Sequence, residues 1–535
     1  MEGLNRKPHF VLVPWLGTIS HILPMSDLAS LLASHGASVT IITTPVNAPI
    51  AQSRVDRGGA AVAVTAIPFP GAGAGLSEGC ERMDLLRSGA EVPSRSLARE
   101  LGVPCYVFHG FGAFALLCIE YIYARRPQEA AASADEFFSV PVLPSYECRL
   151  SSQQLPPHVI APTSLAATTL QGVREFDTAV DGIVVNSFEE LEHGSTALLA
   201  AATGKEVFAV GPVSQCCLSR GVDPLAVPDD ANRCVAWLDA KESKTVVYVS
   251  FGTAGRLPPA QLMEIGKALV SCPWPVLWVI KGAESLSDDV KNWLRENTET
   301  DGEVTKRKCL VVCGWAPQVT ILAHPAIGGF MTHCGWGSTL EGVAAGVPMA
   351  TWPLFAEQFI NEKLVVDLLG IGVPVGVTKA TENVMTASDD DRGGDAEPEV
   401  GSGRVMKALE RLMDQGAEGE ERRRKARDLK SATLGALDKG RSSYTNLEKL
   451  VTAFMTDRGR GSTLESVATG VPMVTWPLHA EQFINEKFIA NVLGVVGVSV
   501  GVTRPTENVL AGAGGEADAR AEVGMEQVLK TLSRG

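Results

Sequence analysis

The chain has no positive charge to spare: 47 Lys and Arg against 61 Asp and Glu leave a formal net charge of −14 over 535 residues. That balance disfavours nucleic acid or an anionic membrane surface as the main partner and leaves any phosphate to be held by local geometry. No run approaches the ~20 apolar residues of a membrane span. The N-terminus, MEGLNRKPHFVLVPW, has a basic flank but an apolar run too short for a signal peptide, and it reads as a first strand. Eleven cysteines (80, 105, 118, 148, 216, 217, 234, 272, 309, 313 and 334) include no CxxC pair and no Cys/His set at zinc-site spacing. Metal binding is therefore not expected, and a reducing, cytoplasmic setting is. A dinucleotide loop is missing too. In Gly71-Ala72-Gly73-Ala74-Gly75 the third glycine falls one position early and no helix opens behind it, so the stretch reads as loop and a nicotinamide-dependent dehydrogenase is disfavoured. The last absence is local: no Asp occurs between Asp84 and Asp135.

What is present suffices for two cores, with 45% hydrophobic and 20% charged residues. His9 to Pro14 has the character of a buried strand, Leu23 to Ser34 the apolar spacing of a helix stopped by Gly36, and Ala37 to Thr44 that of the next strand. This is a βαβ start, and it puts His21, in the loop between, at the carboxyl end of the first strand, where open α/β sheets bind ligands. A third strand is expected from Val62 to Phe69, another from Pro104 to Phe108, then a helix from Gly112 to Tyr123, a strand from Asp181 to Asn186 and a last one from Val207 to Gly211. Val213 to Asn232, with two prolines and no periodicity, reads as a linker. The alternation then resumes: strands at Thr245–Ser250, Val276–Ile280 and Cys309–Cys313 separated by helical spacing predict a second doubly wound sheet.

One stretch concentrates the chemistry. Trp315 to Gln358 reads WAPQVTILAHPAIGGFMTHCGWGSTLEGVAAGVPMATWPLFAEQ. A short apolar run, Ile327 to Met331, ends in Thr332-His333-Cys334-Gly335-Trp336-Gly337-Ser338 and a helix start, a corner that offers backbone N–H groups, a hydroxyl and an imidazole to an anion. Trp315 offers a flat face for a base, Gln318 an amide for its edge, and Glu341 a carboxylate able to accept two vicinal ribose hydroxyls. Glu357 and Gln358 supply the groups that read sugar hydroxyls. Thr253, after a strand in Val-Ser-Phe-Gly-Thr, is a second candidate for a diphosphate.

At this point the chain resembles the plant family 1 UDP-dependent glycosyltransferases, whose 44-residue signature it follows from opening Trp to closing Gln. The resemblance covers nearly all of residues 8 to 455. It implies the GT-B fold, two facing Rossmann-like α/β domains with parallel sheets and a donor cleft between them. Residues 1–212 would form the acceptor-binding domain, 213–233 a linker and 234–455 the UDP-sugar-binding domain, in a monomer. The implied reaction is metal-independent and inverting: His21 takes a proton from the hydroxyl of a small lipophilic acceptor (flavonoid, terpenoid or hormone type) while UDP leaves from UDP-glucose, a substrate and not a cofactor. Ala316, Gly335 and Trp336 join the donor set by the same resemblance, and Gln358 favours glucose over galactose.

Three departures stand against ordinary turnover. The family has Asn where this chain has Gly337. Between about 85 and 100 a strand is missing that in the family ends in an Asp bonded to the catalytic His; Asp84, Glu91 and Glu100 are the replacement candidates. And from Gly461 the sequence begins again, repeating Gly337 to Gly370 with 25 of 34 positions identical at an offset of 124, so that 456–535 is a partial duplication of the donor domain. The copy keeps Glu465, Glu481 and Gln482 but has no counterpart of Trp315, Gln318, His333 or Trp336, and is expected not to bind donor alone. A catalytically impaired nucleotide-sugar-binding paralogue is therefore the alternative.

Overall fold

The computed structural model describes residues 8–14, 19–59, 61–67, 81, 105–155, 159, 180–192, 194–215, 228–252, 257–281, 286–298, 308–381, 397–456, 473–475 and 497–499. By contact density the chain divides into two compact units. The first comprises Met1–Ala90, Val107–Glu175 and Gly182–Val451; the second comprises Glu91–Tyr106, Phe176–Asp181 and Thr452–Gly535.

The N-terminal half opens with β1 (His9–Leu12), β2 (Ser38–Thr43) and β3 (Val62–Ala66), a parallel sheet in the order β1-β2-β3. The helix between β1 and β2 begins earlier than its apolar spacing predicts, at Ile19, so His21 lies in its first turn and not in a loop before it. A buried Asp27–Arg54 pair, 2.6 Å apart, ties this helix to the next, Ala48–Gly58. Next come β4 (Tyr106–His109), the antiparallel hairpin of β5 (Phe137–Leu143) and β6 (Tyr146–Ser151), and the parallel pair β7 (Gly182–Val185) and β8 (Glu206–Ala209). β4, β7 and β8 make their own three-stranded sheet in the order β4-β7-β8. Among the described residues the N-terminal half thus holds two three-stranded sheets, and the stretch between β3 and β4, where a strand is expected to be missing, lies almost wholly outside those residues. The hairpin has no signal in simple alternation, because Pro141 interrupts FFSVPVL.

The C-terminal half is continuous. β9 (Val246–Ser250), β10 (Val276–Ile280), β11 (Cys309–Cys313), β12 (Ile327–Thr332), β13 (Met349–Thr351) and β14 (Gly372–Pro374) form one parallel sheet in the order β11-β10-β9-β12-β13-β14. Every residue of β9 and β10 is buried, as expected of central strands covered on both faces, and their unbroken apolar runs show it. Trp237, Trp278, Tyr248 and Phe330 are at most 1% exposed, and each buried side chain of this size stabilises by about 1.5–3 kcal/mol. The expected linker is shorter than its composition predicts, since the helix Pro228–Asp239 opens inside it at a proline suited to a first turn.

The closing helix, Ser442–Thr456, returns to the N-terminal half. Its Ser443 and Asn446 side chains donate to the carbonyls of Gly211 and Ala209, at 2.6 and 3.0 Å, and Tyr444 packs on His35 with ring centroids 4.8 Å apart. In the second unit, β15 (Met473–Thr475) pairs in parallel with β16 (Gly497–Ser499). Met473 opposes Gly497 as Met349 opposes Gly372, so the duplicated sequence repeats the β13–β14 register. Among the described residues no helix is long and apolar enough to cross a membrane.

Candidate donor site

Strand order locates the site. From β9 the chain winds outward through β10 to β11, then returns to place β12 on the other side of β9. The carboxyl ends of β9 and β12 therefore flank the point where the winding reverses, the place where open α/β sheets leave a crevice for a ligand.

His333 stands at that point, directly after β12. Its imidazole lies between two glycines: a Cβ added to Gly252 would come within 2.5 Å of the ring, and one on Gly335 would also strike it. Gly252 has φ +77°, so a side chain there is disfavoured by backbone as well as by space. Burial, with the nearby Lys281 charge as a smaller cause, pushes the His333 pKa down to about 4. The ring is therefore neutral at pH 7, able to donate one hydrogen bond without bringing a charge. Its Nδ1 is buried and has no hydrogen-bond partner among the described residues.

The chain turns sharply at Cys334, a buried residue with φ +62°, and enters the helix Trp336–Ala345, whose N-cap residue, Gly335, has no side chain to cap it. The Glu357 carboxylate accepts the Trp336 backbone N–H, while Asn361 Nδ2 reaches Glu357 at 3.3 Å and the Cys334 carbonyl at 2.9 Å. Burial raises the Glu357 pKa to about 7 against these bonds. Gln358 accepts the Leu354 and Phe355 N–H groups at 2.8 and 3.2 Å. Both expected sugar readers thus also hold the turn that carries them.

The expected base and ribose residues meet as a network. Gln318 donates from Nε2 to Ser338 Oγ at 2.9 Å and to Glu341 Oε2 at 2.7 Å, and accepts from the Tyr248 hydroxyl at 3.1 Å. Trp315 follows Gly314 (φ +129°) beyond β11, and Ala316 beside it is buried. The face of Trp315 is covered by Lys281, whose Nζ lies 3.9 Å from the ring centroid. Trp336 has a different position from the others. It is 2% exposed and donates from Nε1 to the Asn186 carbonyl of the N-terminal half at 2.8 Å. Gly112 makes room there, for a Cβ on it would lie 2.7 Å from the Trp336 ring. Gly337 is exposed, with nothing within 4 Å of an added Cβ. Thr253 lies outside the described residues.

In the N-terminal half, the His21 ring faces the carboxyl end of β4, its Nε2 3.8 Å from the Cβ position of Gly110. His109, one residue earlier, is pushed down by burial to about 4. Asp84, Glu91 and Glu100 lie outside the described residues. The sequence reading passed over Lys281, Tyr248 and Asn361; for Lys281 a signal existed, its position directly after a strand of the binding edge. Among the described residues no three His, Cys, Asp or Glu side chains are grouped to hold a metal ion.

The chain is similar to known proteins over most of its length. The UDP-glucoronosyl and UDP-glucosyl transferase family matches residues 223–389 and 449–512. UDP-glycosyltransferase 73C6 of Arabidopsis thaliana is 35% identical over 497 residues, spanning 84% of this chain and 98% of its own length. UDP-glycosyltransferase 73C25 of Barbarea vulgaris is 34% identical over 491 residues, 84% of this chain and 96% of its own. Among solved structures, Glycyrrhiza uralensis UGT73P12, complexed with glycyrrhetinic acid 3-O-monoglucuronide, superposes with a TM-score of 0.72 at 31% identity, covering 87% of this chain and 98% of that one. The fold of these structures is GT-B, with two Rossmann-like halves.

Proposed function

Because the chain belongs to the family of UDP-dependent glycosyltransferases, with plant relatives at 35% identity over most of its length, we propose that it transfers glucose from UDP-glucose, with inversion, to a hydroxyl of a small lipophilic acceptor. The observation that carries this reading is the corner after β12: a neutral imidazole and a helix start whose N-cap residue is a glycine, at the reversal of strand order, beside the Gln318–Ser338–Glu341 network. In the proposed reaction the diphosphate rests on that helix start, the uracil on Trp315, the ribose on Glu341 and the sugar against Glu357 and Gln358. His21 takes the acceptor proton as the oxygen attacks the anomeric carbon, and UDP departs toward His333 and Ser338. No metal is assigned a part. The acceptor class draws support from UGT73P12, which was solved with a glycyrrhetinic acid glucuronide.

A second reading is favoured by a specific observation. Among the described residues no strand joins the sheets holding β1 and β4, on whose carboxyl ends His21 and Gly110 lie, and by the family resemblance the segment between them lacks the strand that brings an Asp to the base. Loss of such an Asp in another His-dependent enzyme lowers turnover about 10⁴-fold. The chain would then bind a nucleotide sugar without transferring it. Incubation with UDP-glucose and a mixed panel of phenols, with UDP binding measured alongside, separates the two: product formation supports the transferase, and binding without product the impaired paralogue. Absence of UDP binding overturns both.

A further inference from the structure

The donor that the proposed function calls for carries a diphosphate, and its leaving group gains further negative charge as the glycosidic bond breaks. The described site is poor in formal positive charge. His333 is neutral, the helix start offers only a partial charge equivalent to about half a unit, and the carboxylate of Glu341 belongs to the same corner. A phosphate placed there needs a cation to offset its charge.

Lys281 is in position to be that cation. It directly follows β10, so it lies on the carboxyl edge of the sheet between the ends of β9 and β11, and the Gly314 N–H bond to the Ile280 carbonyl, 3.0 Å, holds the two strand ends together. Its ammonium covers the Trp315 ring at 3.9 Å. Its charge is also felt at His333, on the far side of β9. The ammonium therefore sits at the base end of the corner, near enough to the phosphate end for its charge to act there, on a flexible stem that lets it move without backbone change.

We propose that Lys281 is a donor-binding residue that exchanges partners: in the ligand-free chain its ammonium occupies the face of Trp315, and when a uridine nucleotide binds, the base takes that face and the ammonium pairs with the diphosphate. The inference rests on the proposed donor site. In the transfer step the acceptor oxygen–anomeric carbon bond forms, the anomeric carbon–phosphate oxygen bond breaks with its electron pair going to UDP, and the acceptor proton goes to His21. Lys281 stays protonated throughout, so its part is to hold charge.

The exchange has a signature that mere packing lacks. Lys281 opposes the base, by occupying its platform, and favours the phosphates. Replacing it must therefore act in opposite directions on a nucleotide and on a nucleoside. The test measures UDP and uridine affinities by calorimetry for the full chain and for Lys281→Met and Lys281→Arg. Lys281→Met is expected to weaken UDP about 10- to 100-fold, the size of a lost charge-assisted bond, while uridine binds equally well or tighter; Lys281→Arg is expected to keep most of the UDP affinity. Uridine binding by the variant itself reports an intact pocket. Unchanged UDP affinity in Lys281→Met, or an equal loss for UDP and uridine, overturns the assignment and leaves the donor site standing. Failure of the unaltered chain to bind either ligand overturns the donor site and this inference with it.

Discussion

The two halves of this chain follow the same alternation of strand and helix and end in different states. Among the described residues the C-terminal half closes six parallel strands into one sheet, whereas the N-terminal half holds two sheets of three beside the β5–β6 hairpin. In a parallel sheet each strand is joined to its neighbours through backbone bonds, so the strand that the family resemblance finds wanting between β3 and β4 is one whose loss would leave two edges unjoined. The half that keeps its order has the donor corner built to tight tolerance. In the N-terminal half His21 is described, and Asp84, Glu91 and Glu100, the candidates for the carboxylate that the family places beside its base, lie outside the described residues.

The comparison breaks most sharply on His21. In the proposed mechanism His21→Ala lowers transfer by about 10²–10⁴-fold, the usual worth of a general base, with UDP affinity unchanged; product formation and calorimetry read the two separately. Next in size is a clash in the donor corner. Gly252→Ala puts a Cβ against the His333 ring at a positive φ, and is expected to cost roughly 2–4 kcal/mol of stability and most UDP binding, as urea unfolding and titration with UDP would register.

Buried groups of the C-terminal half should make stability depend on pH. Burial raises Glu357 and Glu362, both in the C-terminal half, from 4.5 to about 7. The folded chain therefore binds these protons more tightly than the unfolded chain, so their contribution is complete below pH 4.5 and lost as pH rises through about 7. His333 runs the other way: held neutral at about 4 against 6.5, it contributes fully above pH 6.5 and loses that contribution as pH falls through 4. Glu357→Gln should flatten the decline between pH 5 and pH 8 by about 2–3 kcal/mol, measured by urea unfolding at both values.

Smaller effects sharpen the contrast. Gly337→Asn, where an added side chain meets open space, should tighten UDP a few-fold by adding an amide at the helix start, about the worth of one hydrogen bond. Gly110→Ala, whose Cβ would sit 3.8 Å from the His21 ring, should change stability by less than about 0.5 kcal/mol. An equally severe loss at Gly110 and Gly252 would mean that the N-terminal site is as closely packed as the donor corner.

Most strands of the C-terminal half were legible in sequence, β10 and β11 to the residue, because continuous apolar runs bounded by Gly and Pro have few other readings. The start of the first helix was not. Ile19 and Ser20 precede the periodic stretch, and the extra turn that takes in His21 has no apolar spacing of its own. The hairpin of β5 and β6 was also hidden, by Pro141 within the first strand and by a connection, Pro144-Ser145, that carries no glycine.

The linear order of residues by itself determined the family and the duplicated tail, and it named the residues gathered at the corner after β12, since each is a matter of which residues follow which at what spacing. Only the tertiary structure decided that Lys281 covers Trp315, that Trp336 is spent on the Asn186 carbonyl, and that His333 is neutral. Those facts depend on which strand ends become neighbours and how deeply they are buried. Lys281 and Trp315 are brought together because β10 and β11 are adjacent, and His333 joins them because β12 crosses back beside β9.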